Sequence, residues 1–508
     1  KYLLCLIKSI NWEKINKSNC NFLLKINNNK RMYSCWSMMC GRLCNIKLSI
    51  DDIICILDSN INNCNINKYI LHYLKSINDY ILICLLPNLL SYIKFSNEKE
   101  NSIIVSFLIG KCKTSYKVSN YIFNELSIQM LDYRFYNLYN NIKIKLLNSL
   151  DKKIAIYIKQ TINDTKNFPD IINKINKSKF YKHSHDFILT IRPELKCISI
   201  NKNIIVKDSF TKPIIAELKC IYKTNKNIFK KKNYKLMLKN EDVRTDYIII
   251  NIIRIMDYIL KKDESLDLHI ITYNILPIDI NKGLIEIIQD SKTLYEIKKD
   301  NFTIQNWIIE NNPNVPIDIL RKRFTLSCAA YCVISYLLGF GDRHLDNIMI
   351  SKEGFLFHID FSYVLGISVK IMVPEIRITP DMIDAMGGIN SKNYELFQDL
   401  CIRSFNCLRR HSNLFFILLS QLDKIKPKIL NGKYSYEFIK KHIISRFLPG
   451  ENYTQAKLIF NTIVKKHRSS SYSEKLIDFC HENSKENTVL SSITNVSNSI
   501  LNLLYKSK

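Results

Sequence analysis

Apolar residues in the first 150 positions recur every three or four residues, with polar turns between the runs. This spacing places them on one face of a helix. The runs cover Ile53 to Leu57, Ile66 to Leu74, Ile81 to Ile93 and Ile103 to Ile109. Because successive short amphipathic helices stack on one another, the pattern predicts an all-α region over residues 1–150.

The pattern changes in the next hundred residues. Residues 151–185 form a lysine-rich stretch that is predicted to be a helical connector ending at Phe168-Pro169 and a polar segment. Short apolar runs typical of strands follow at 187–191, 197–200 and 214–218. A strand ending at Lys239 then leads into a helix whose Ile250, Ile253 and Met256 face inward. The chain is therefore predicted to be α+β.

The stretch from Phe324 to Gly366 carries most of the candidate chemistry. It begins with an almost wholly apolar helix, Cys328 to Phe340, which is predicted to be buried on all sides and is too short for a membrane span. The helix stops at Gly339-Phe340-Gly341. Five polar residues follow within six positions: Asp342, Arg343, His344, Asp346 and Asn347. A turn at 352–354 then leads into a strand that delivers Asp360.

A polar cluster between buried elements must pair its groups or bind something. The oxygens of Asn347 and Asp360 are hard ligands of the kind that hold Mg²⁺ against nucleotide phosphates. His344 is placed to take a proton from an attacking hydroxyl. The alternative is a salt-bridged structural turn followed by a core strand.

The segments GFGDRHLDNIMI (339–350) and FHIDF (357–361) resemble the catalytic and activation-loop signatures of the phosphatidylinositol 3- and 4-kinases and related large protein kinases. The resemblance implies a two-lobed, protein-kinase-like domain, with the N-lobe and hinge at 186–288 and the C-lobe at 289–508. It implies ATP as phosphate donor and Mg²⁺ or Mn²⁺ held by Asn347 and Asp360. Asp342 and Arg343 would order the loop, and His344 would deprotonate or orient the hydroxyl.

The same resemblance assigns nucleotide contacts to six residues of the N-lobe. Ser209 lies in a glycine-free phosphate loop that ends in Pro213, and Lys239 would contact phosphates. Asp246 would position that lysine or a tyrosine partner. The remaining three are Tyr273, which stands where the family has its turn tyrosine, and Glu286 and Ile288, in a hinge that offers its main chain to adenine.

Each nucleotide contact has an ordinary alternative: a plain turn at Ser209, a solvated lysine at the strand end, an ordinary strand at the hinge. The loop after Lys239 also lacks the family's glycine and is one residue shorter, which leaves the roles of Glu241 and Asp242 open.

Composition adds two expectations. The net charge of +28 is spread over the whole length, so we interpret it as compositional bias except where charges cluster, and we predict no nucleic-acid partner. The sixteen cysteines show no zinc-type spacing and no preceding signal peptide, which favours reduced thiols in the cytosol.

The acceptor is predicted from the activation segment, Tyr363 to Pro380. Its only basic residues are Lys370 and Arg377, too few for a multiply phosphorylated inositol lipid, so unphosphorylated phosphatidylinositol is implied.

Residues 382–388 and 394–414 resemble the class III, vacuolar-sorting type of 3-kinase. Residues 10–14 and the helical runs over 51–126 resemble the accessory helical domain of lipid kinases. The resemblance covers roughly 45–505 and lacks a C2 domain. Because the chain also begins at Lys1 without Met, we expect a fragment or a reduced form.

The predicted activity is therefore transfer of the ATP γ-phosphate to the 3-hydroxyl of phosphatidylinositol. The resemblance implies a role in membrane trafficking or autophagy, a peripheral position on endosomal or vacuolar membranes and a regulatory protein subunit. An amphipathic helix over Val489 to Lys508 could lie on a membrane or pack on the kinase lobe.

Three alternatives stay open: a phosphatidylinositol 4-kinase, a related Ser/Thr protein kinase and a catalytically impaired scaffold. The last is prompted by Ser362, which replaces the glycine of the family's Asp-Phe-Gly motif. Either the loop keeps a negative φ at Ser362 or the activation segment is less mobile.

Overall fold

The computed structural model describes residues 50–58, 64–94, 96, 99–177, 186–207, 211–224, 227–368, 374–425 and 434–466. The predictions for Ser209, for Lys370, for residues 10–14 and for the helix over 489–508 lie outside the described residues. The chain divides into two compact units. The first runs up to Ile259 and includes Thr272–Ile288 and Arg410–Ile443. The second comprises Leu260–Ile271, Gln289–Arg409 and the chain from Ile444 onward.

The first unit begins with helices, as the spacing of apolar residues predicts. Asn78, Ser102 and Ser115 each start one of them by accepting a hydrogen bond from a main-chain N–H of the first turn. The helices are α1 (Ile50–Asp58), α2 (Cys64–Ser76), α3 (Asp79–Ile93), α4 (Ile103–Thr114), α5 (Tyr116–Gln129), α6 (Tyr136–Asn148) and α7 (Lys152–Lys177).

Helix α7 corrects one prediction, because it does not end at Phe168-Pro169 but continues to Lys177. An interior proline removes a main-chain donor and ordinarily costs a helix about 3 kcal/mol. Here Phe168 and Pro169 are buried, and the Phe168 ring lies 5.8 Å from that of Phe187. Burial against the neighbouring sheet therefore outweighs the local helix-breaking signal.

A seven-stranded antiparallel sheet follows in the same unit, in the order β1-β2-β4-β5-β7-β6 with β3 beside β4. Alternate residues of β4 and β5 face a core that includes Phe168 and Ile172 of α7. The strands are β1 (Phe187–Ile188), β2 (Lys196–Ile200), β3 (Ile205–Val206), β4 (Ile214–Lys223), β5 (Phe229–Lys239), β6 (Ile275–Asp279) and β7 (Lys282–Glu286).

The strand predictions hold for 197–200 and 214–218, but the strand predicted over 187–191 is wrong in length. It ends at Ile188 because the chain turns, with the N–H of Arg192 bonded to the oxygen of Leu189 at 3.1 Å. Helix α8 (Arg244–Asp263) follows β5, and Ile250, Ile253 and Met256 are fully buried, as predicted.

The second unit is built on α11 (Ile317–Leu338) and a three-stranded sheet, β8 (Ser291–Thr293), β9 (Ile348–Ser351) and β10 (Leu356–His358). Every α11 residue from Ser327 to Leu338 is buried, which confirms the predicted core helix, although it begins eleven residues before Cys328. Further helices of this unit are α9 (Leu294–Lys299), α10 (Ile304–Asn311), α12 (Pro380–Ala385) and α13 (Lys392–Arg409).

The remaining helices are α14 (Ser412–Leu419) and α15 (Gln421–Ile425) in the first unit, α16 (Tyr436–Phe447) and, in the second unit, α17 (Tyr453–Lys466). None of the helices in the described ranges has the length and apolar character that a membrane crossing requires. The predicted domain limits at residues 150, 185 and 288 stay predictions.

Candidate active site

The polar loop of the second unit starts where α11 ends. Gly339 adopts a left-handed conformation (φ 57°, ψ 55°) that closes the helix. The N–H of Gly341 donates to the oxygen of Tyr363 at 2.9 Å. A Cβ atom at Gly341 would lie 2.2 Å from the main-chain oxygen of Ile367, so only glycine fits at this position without moving the backbone. The end of the core helix is thus locked to the segment that follows Asp360.

Asp342 and His344 face each other within this loop. Asp342 has a left-handed backbone (φ 49°), and its Oδ2 lies 3.8 Å from Nε2 of His344, a largely buried side chain. A left-handed φ at a residue other than glycine is uncommon and is found disproportionately at functional sites. The carboxylate therefore faces the imidazole across this loop.

Arg343 holds the loop to the segment after β10. Its Nε donates to the oxygen of Gly341 at 2.8 Å and its Nη1 to the oxygen of Ile359 at 2.7 Å. Its Nη2 bonds the oxygen of Asp360. The guanidinium is buried and lies near the ring of Phe340, 5.4 Å from its centre. The ordering role predicted for Arg343 thus has a specific geometry, three main-chain carbonyls joined by one cation.

Asn347 and Asp360 come together at one end of the β9–β10 hairpin. Ile348 pairs with His358, and the N–H of Ile359 donates to the oxygen of Asn347 at 3.1 Å, so Asp360 follows immediately. Asn347 donates through Nδ2 to the oxygen of Asp342 at 2.9 Å. This bond directs the amide, and no described residue donates to its Oδ1.

This arrangement fits a divalent cation. It presents an amide oxygen and a carboxylate, which are hard ligands. Among the described residues no group of three or more His, Cys, Asp or Glu side chains is placed to bind a metal. Mg²⁺ bound with a nucleotide needs only one or two protein ligands, because phosphates and water complete its coordination.

Ser362 is free of the strain that its replacement of glycine suggested. It does not adopt a left-handed backbone, whereas Asp360 (φ 60°), Leu365 (φ 58°) and Gly366 (φ 77°) do. The N–H of Ser362 donates to Oδ1 of Asp360 at 3.3 Å. Of the two alternatives given by the sequence, the structure has the one in which the loop keeps a negative φ at Ser362.

Two residues that the motif reasoning did not assign support this loop. Arg377 was counted as one of two basic residues available to a lipid. Instead it is buried, and its Nη1 donates to the main-chain oxygen of Arg343 at 2.5 Å. His358 stacks on Tyr331 with ring centres 5.1 Å apart. Burial, together with Arg343 and Arg377, holds the pKa of His358 well below its ordinary value, so this ring is neutral.

The first unit holds the predicted nucleotide residues. Lys239 is the last residue of β5, is largely buried and forms an ion pair with Glu241 at 2.7 Å. Its neighbour across the sheet is Gly283, where a Cβ would lie 2.0 Å from Cγ2 of Val243. Glu241, whose role the sequence left open, is thus a partner of Lys239. Asp246 is buried in the first turn of α8, where the helix dipole favours a carboxylate.

The predicted hinge is held by a partly buried ion pair. Glu286 accepts from Nη2 of Arg192 at 2.8 Å and from the N–H of Asn274 at 2.9 Å. The N–H groups of Glu286 and Ile287 bond the oxygens of Asn274 and Lys235 at 2.8 and 3.0 Å. The carboxylate of Glu286 therefore has a structural role, and adenine binding by the segment up to Ile288 stays a prediction.

Tyr273 and Asn274 complete this side of the first unit. Tyr273 is buried, and its main-chain oxygen accepts from Nη2 of Arg254 at 2.9 Å. Asn274, which stands where the family has glycine, accepts from the same nitrogen at 2.7 Å and donates to the oxygen of Ile191 at 3.1 Å. The resemblance places glycine at position 274, so its replacement by Asn is a sequence signal for the bonds to Arg254 and Ile191. No sequence signal indicated the ion pair of Arg192 with Glu286.

Within the second unit, the structure places five predicted residues in one loop-and-hairpin cluster: Asp342, Arg343, His344, Asn347 and Asp360. Lys239, Asp246, Tyr273, Glu286 and Ile288 lie in the first unit. Their assigned roles in catalysis stay predictions.

Comparison with known proteins matches residues 233–425 to the family model described as phosphatidylinositol 3- and 4-kinase. The chain is 28% identical over 472 residues to phosphatidylinositol 3-kinase pik3 of Schizosaccharomyces pombe, covering 86% of this chain and 58% of that protein. It is 28% identical over 348 residues to phosphatidylinositol 3-kinase VPS34 of Candida glabrata, covering 62% and 37% of the two chains.

Over 185 residues it is 37% identical to the root isoform of phosphatidylinositol 3-kinase of Glycine max, covering 35% of this chain and 22% of that protein. The chain thus spans little more than half the length, at most, of these relatives. The region that matches the family model contains the whole loop-and-hairpin cluster together with Lys239 and Asp246. The resemblance in the sequence motifs is confirmed, and residues 233–425 match the model of the phosphatidylinositol 3- and 4-kinase family.

Proposed function

We propose that the chain is an ATP-dependent phosphatidylinositol 3-kinase that transfers the γ-phosphate of ATP to the 3-hydroxyl of phosphatidylinositol. The observation that carries the proposal is the set of bonds from Arg343 to the oxygens of Gly341, Ile359 and Asp360, which joins the loop of Asp342, His344 and Asn347 to the segment of Asp360. The names of the relatives, phosphatidylinositol 3-kinases, support the choice of lipid and hydroxyl.

Phosphoryl transfer needs positioning and charge stabilisation more than covalent chemistry. Asn347 Oδ1 and the carboxylate of Asp360 would hold Mg²⁺ or Mn²⁺, which neutralises phosphate charge when bound. Lys239 would bind the phosphates from the end of β5, with Glu241 keeping its ammonium group in place. Ser209 would add a hydroxyl to the same phosphates.

The proton of the attacking hydroxyl would pass to His344. General bases need a defined geometry. The carboxylate of Asp342 lies 3.8 Å from Nε2 of this ring, beyond hydrogen-bond distance, and would orient it electrostatically. Arg343 and Asn347 bind main-chain carbonyls of the loop, so the conformation of the loop would be set before a substrate arrives.

The acceptor is proposed to be phosphatidylinositol without ring phosphates. In the described parts of the activation segment, 363–368 and 374–380, Arg377 is the sole basic residue, and it is buried on Arg343. Additional ring phosphates need several exposed cations to compensate their charge. Those parts supply none, which favours the singly charged lipid.

The wider cellular role is proposed from the relatives and the sequence resemblance. The helices α1 to α6 would belong to the accessory helical domain of a class III enzyme, and α7 would be the connector. The enzyme would act in membrane trafficking or autophagy on endosomal or vacuolar membranes, together with a regulatory protein subunit. It would be cytoplasmic and peripheral to the membrane.

The test compares acceptors and products in one assay. Radiolabelled ATP and Mg²⁺ or Mn²⁺ are incubated with vesicles containing phosphatidylinositol, its 4-phosphate or its 4,5-bisphosphate, and with a generic protein substrate. We expect phosphatidylinositol 3-phosphate as the main product. A 4-phosphate product would move the assignment to a 4-kinase, and labelled protein to a protein kinase. Nucleotide binding without any transfer would favour the scaffold.

A further inference from the structure

The free end of the β4–β5 hairpin exposes large apolar side chains. We call this end the hairpin tip and define it by residues 221–224 and 227–232. Phe229 is 68% exposed and Ile228 is 56% exposed. At this end the N–H of Thr224 donates to the oxygen of Ile228 at 2.9 Å. Single exposed apolar residues are ordinary in proteins, so their surroundings decide whether these two matter.

The register of the two strands surrounds Phe229 with lysines. Phe229 pairs directly with Lys223, and the next pair on the same face is Lys231 with Ile221. Lys219 lies one step farther along that face and is exposed. The opposite face, which continues from the buried Tyr234, carries Lys230 and Lys232. Apolar and cationic side chains therefore lie side by side at the hairpin tip.

The charge of the hairpin tip is not neutralised locally. The sequence contains no Asp or Glu between Glu217 and Glu241. On the neighbouring strand Lys196 pairs with Asp186 at 2.8 Å, but no described carboxylate lies within 4.0 Å of Lys223 or of Lys230, Lys231 and Lys232. This clustering distinguishes the hairpin tip from the chain's general excess of lysine.

We propose that the hairpin tip docks the protein on an anionic lipid bilayer, with Phe229 and Ile228 entering the interface and the lysines contacting acidic headgroups. Apolar side chains flanked by lysines bind such an interface through burial and surface potential together. Charge complementarity favours a bilayer of acidic lipids, and the two apolar residues favour it over a purely ionic partner. The proposal rests on the proposed function only in that a lipid kinase works at a membrane surface.

The test measures vesicle binding by flotation with the full chain. Vesicles contain phosphatidylcholine alone or with about one third phosphatidylserine, at low and high salt. One variant carries Lys223→Gln, Lys230→Gln and Lys231→Gln, and a second carries Ile228→Ser and Phe229→Ser. We expect the first to lower the partition coefficient on acidic vesicles at least tenfold. The second should lower it several-fold, including at high salt.

Helix α7 offers a matched control. Ile156 is 68% exposed, as Phe229 is, and Lys152, Lys153 and Lys159 are exposed on the same helix. Replacing the three lysines by Gln and Ile156 by Ser removes the same charge as the lysine variant of the tip and one exposed apolar side chain. This control should bind acidic vesicles like the wild type. An equal loss in the control would overturn the proposal, because it would show that only net charge matters.

Insertion is read separately in the variant Phe229→Trp. Its added fluorescence should be quenched by brominated phosphatidylcholine when acidic lipid is present. Absence of quenching would overturn docking on a bilayer. Docking would also be overturned if the protein bound poly(U) as tightly as acidic vesicles and both tip variants lowered the two affinities equally. Because these readouts do not involve catalysis, they stand if the wild type proves inactive. Turnover of a soluble short-chain phosphatidylinositol, unchanged in the tip variants, separates docking from catalysis.

Discussion

The guanidinium of Arg377 donates a hydrogen bond at 2.5 Å to the main-chain oxygen of Arg343, whose own side chain bonds three carbonyls around the catalytic cluster. The two arginines therefore connect the end of the activation segment to the loop that carries His344. Because Arg377 is buried, we expect it to position this loop rather than to contact the lipid.

Replacing Arg377 by Gln should lower kcat about tenfold to a hundredfold, with a smaller change in the KM for lipid. A hydrogen bond from a charged donor contributes about 1.5–3 kcal/mol, which corresponds to that range. Steady-state kinetics on phosphatidylinositol vesicles measures the effect. Arg321→Gln is the control, because the side chain of Arg321 bonds Gln305 at 3.1 Å and pairs with Asp318 at 4.0 Å, and it bonds no described residue of the loop. A pure KM effect would instead indicate that Arg377 binds lipid.

Gly341→Ala should abolish most activity and lower the thermal midpoint. The new methyl group would lie 2.2 Å from the main-chain oxygen of Ile367, so the loop or the activation segment must move. We expect at least a hundredfold loss in kcat/KM, measured beside the melting temperature. Gly110→Ala in α4 meets no atom within 4 Å and should be neutral or stabilising by up to about 1 kcal/mol. A fully active Gly341→Ala enzyme would contradict the described loop.

Ser362→Gly should leave activity within about threefold of the wild type. The structure keeps Ser362 out of the left-handed region, so restoring the family's glycine relieves no strain there. The added backbone freedom would, if anything, slow the enzyme slightly. The same lipid kinase assay measures the ratio. A tenfold gain would show that Ser362 impairs the enzyme and would favour the scaffold hypothesis.

Glu125→Gln should make the protein more stable at neutral and alkaline pH. Burial raises the pKa of Glu125, whose carboxyl accepts from Gln129 at 2.8 Å and from Tyr247 at 2.6 Å. In the unfolded chain a glutamate titrates near about 4.3. The wild-type contribution is therefore complete below that value and is lost as pH rises through the higher folded pKa.

Gln keeps both hydrogen-bond partners and cannot ionise, so the two proteins should melt alike near pH 4 and diverge as the pH rises. A gain of about 2–4 °C is expected for each kcal/mol recovered. Exposed Glu310→Gln is the control and should not alter the pH dependence. Parallel curves for Glu125→Gln and the wild type would contradict a raised pKa at Glu125.

The core helix, the polar loop and the hairpin that presents Asp360 could be predicted because their signals are local. An almost wholly apolar run, the glycines at 339 and 341 and a largely apolar strand lie within 43 residues. The full length of helix α7 could not be predicted, because the burial of Phe168 against Phe187 outweighs the helix-breaking effect of Pro169. The ion pair of Arg192 with Glu286 could not be predicted either, because the two residues are 94 positions apart in the chain. Such long-range partners leave no pattern in the neighbouring sequence.

The central claim is that Asn347 and Asp360 form the metal site of a lipid kinase. The most direct measurement is the rate of phosphatidylinositol 3-phosphate formation against Mg²⁺ concentration, for the wild type and for Asp360→Asn, with metal-free nucleotide binding measured alongside. The account predicts a metal-dependent product in the wild type. It predicts at least a thousandfold lower rate in Asp360→Asn, with unchanged metal-free binding. Equal rates in the two proteins, or a wild-type product that forms without a divalent cation, would contradict it.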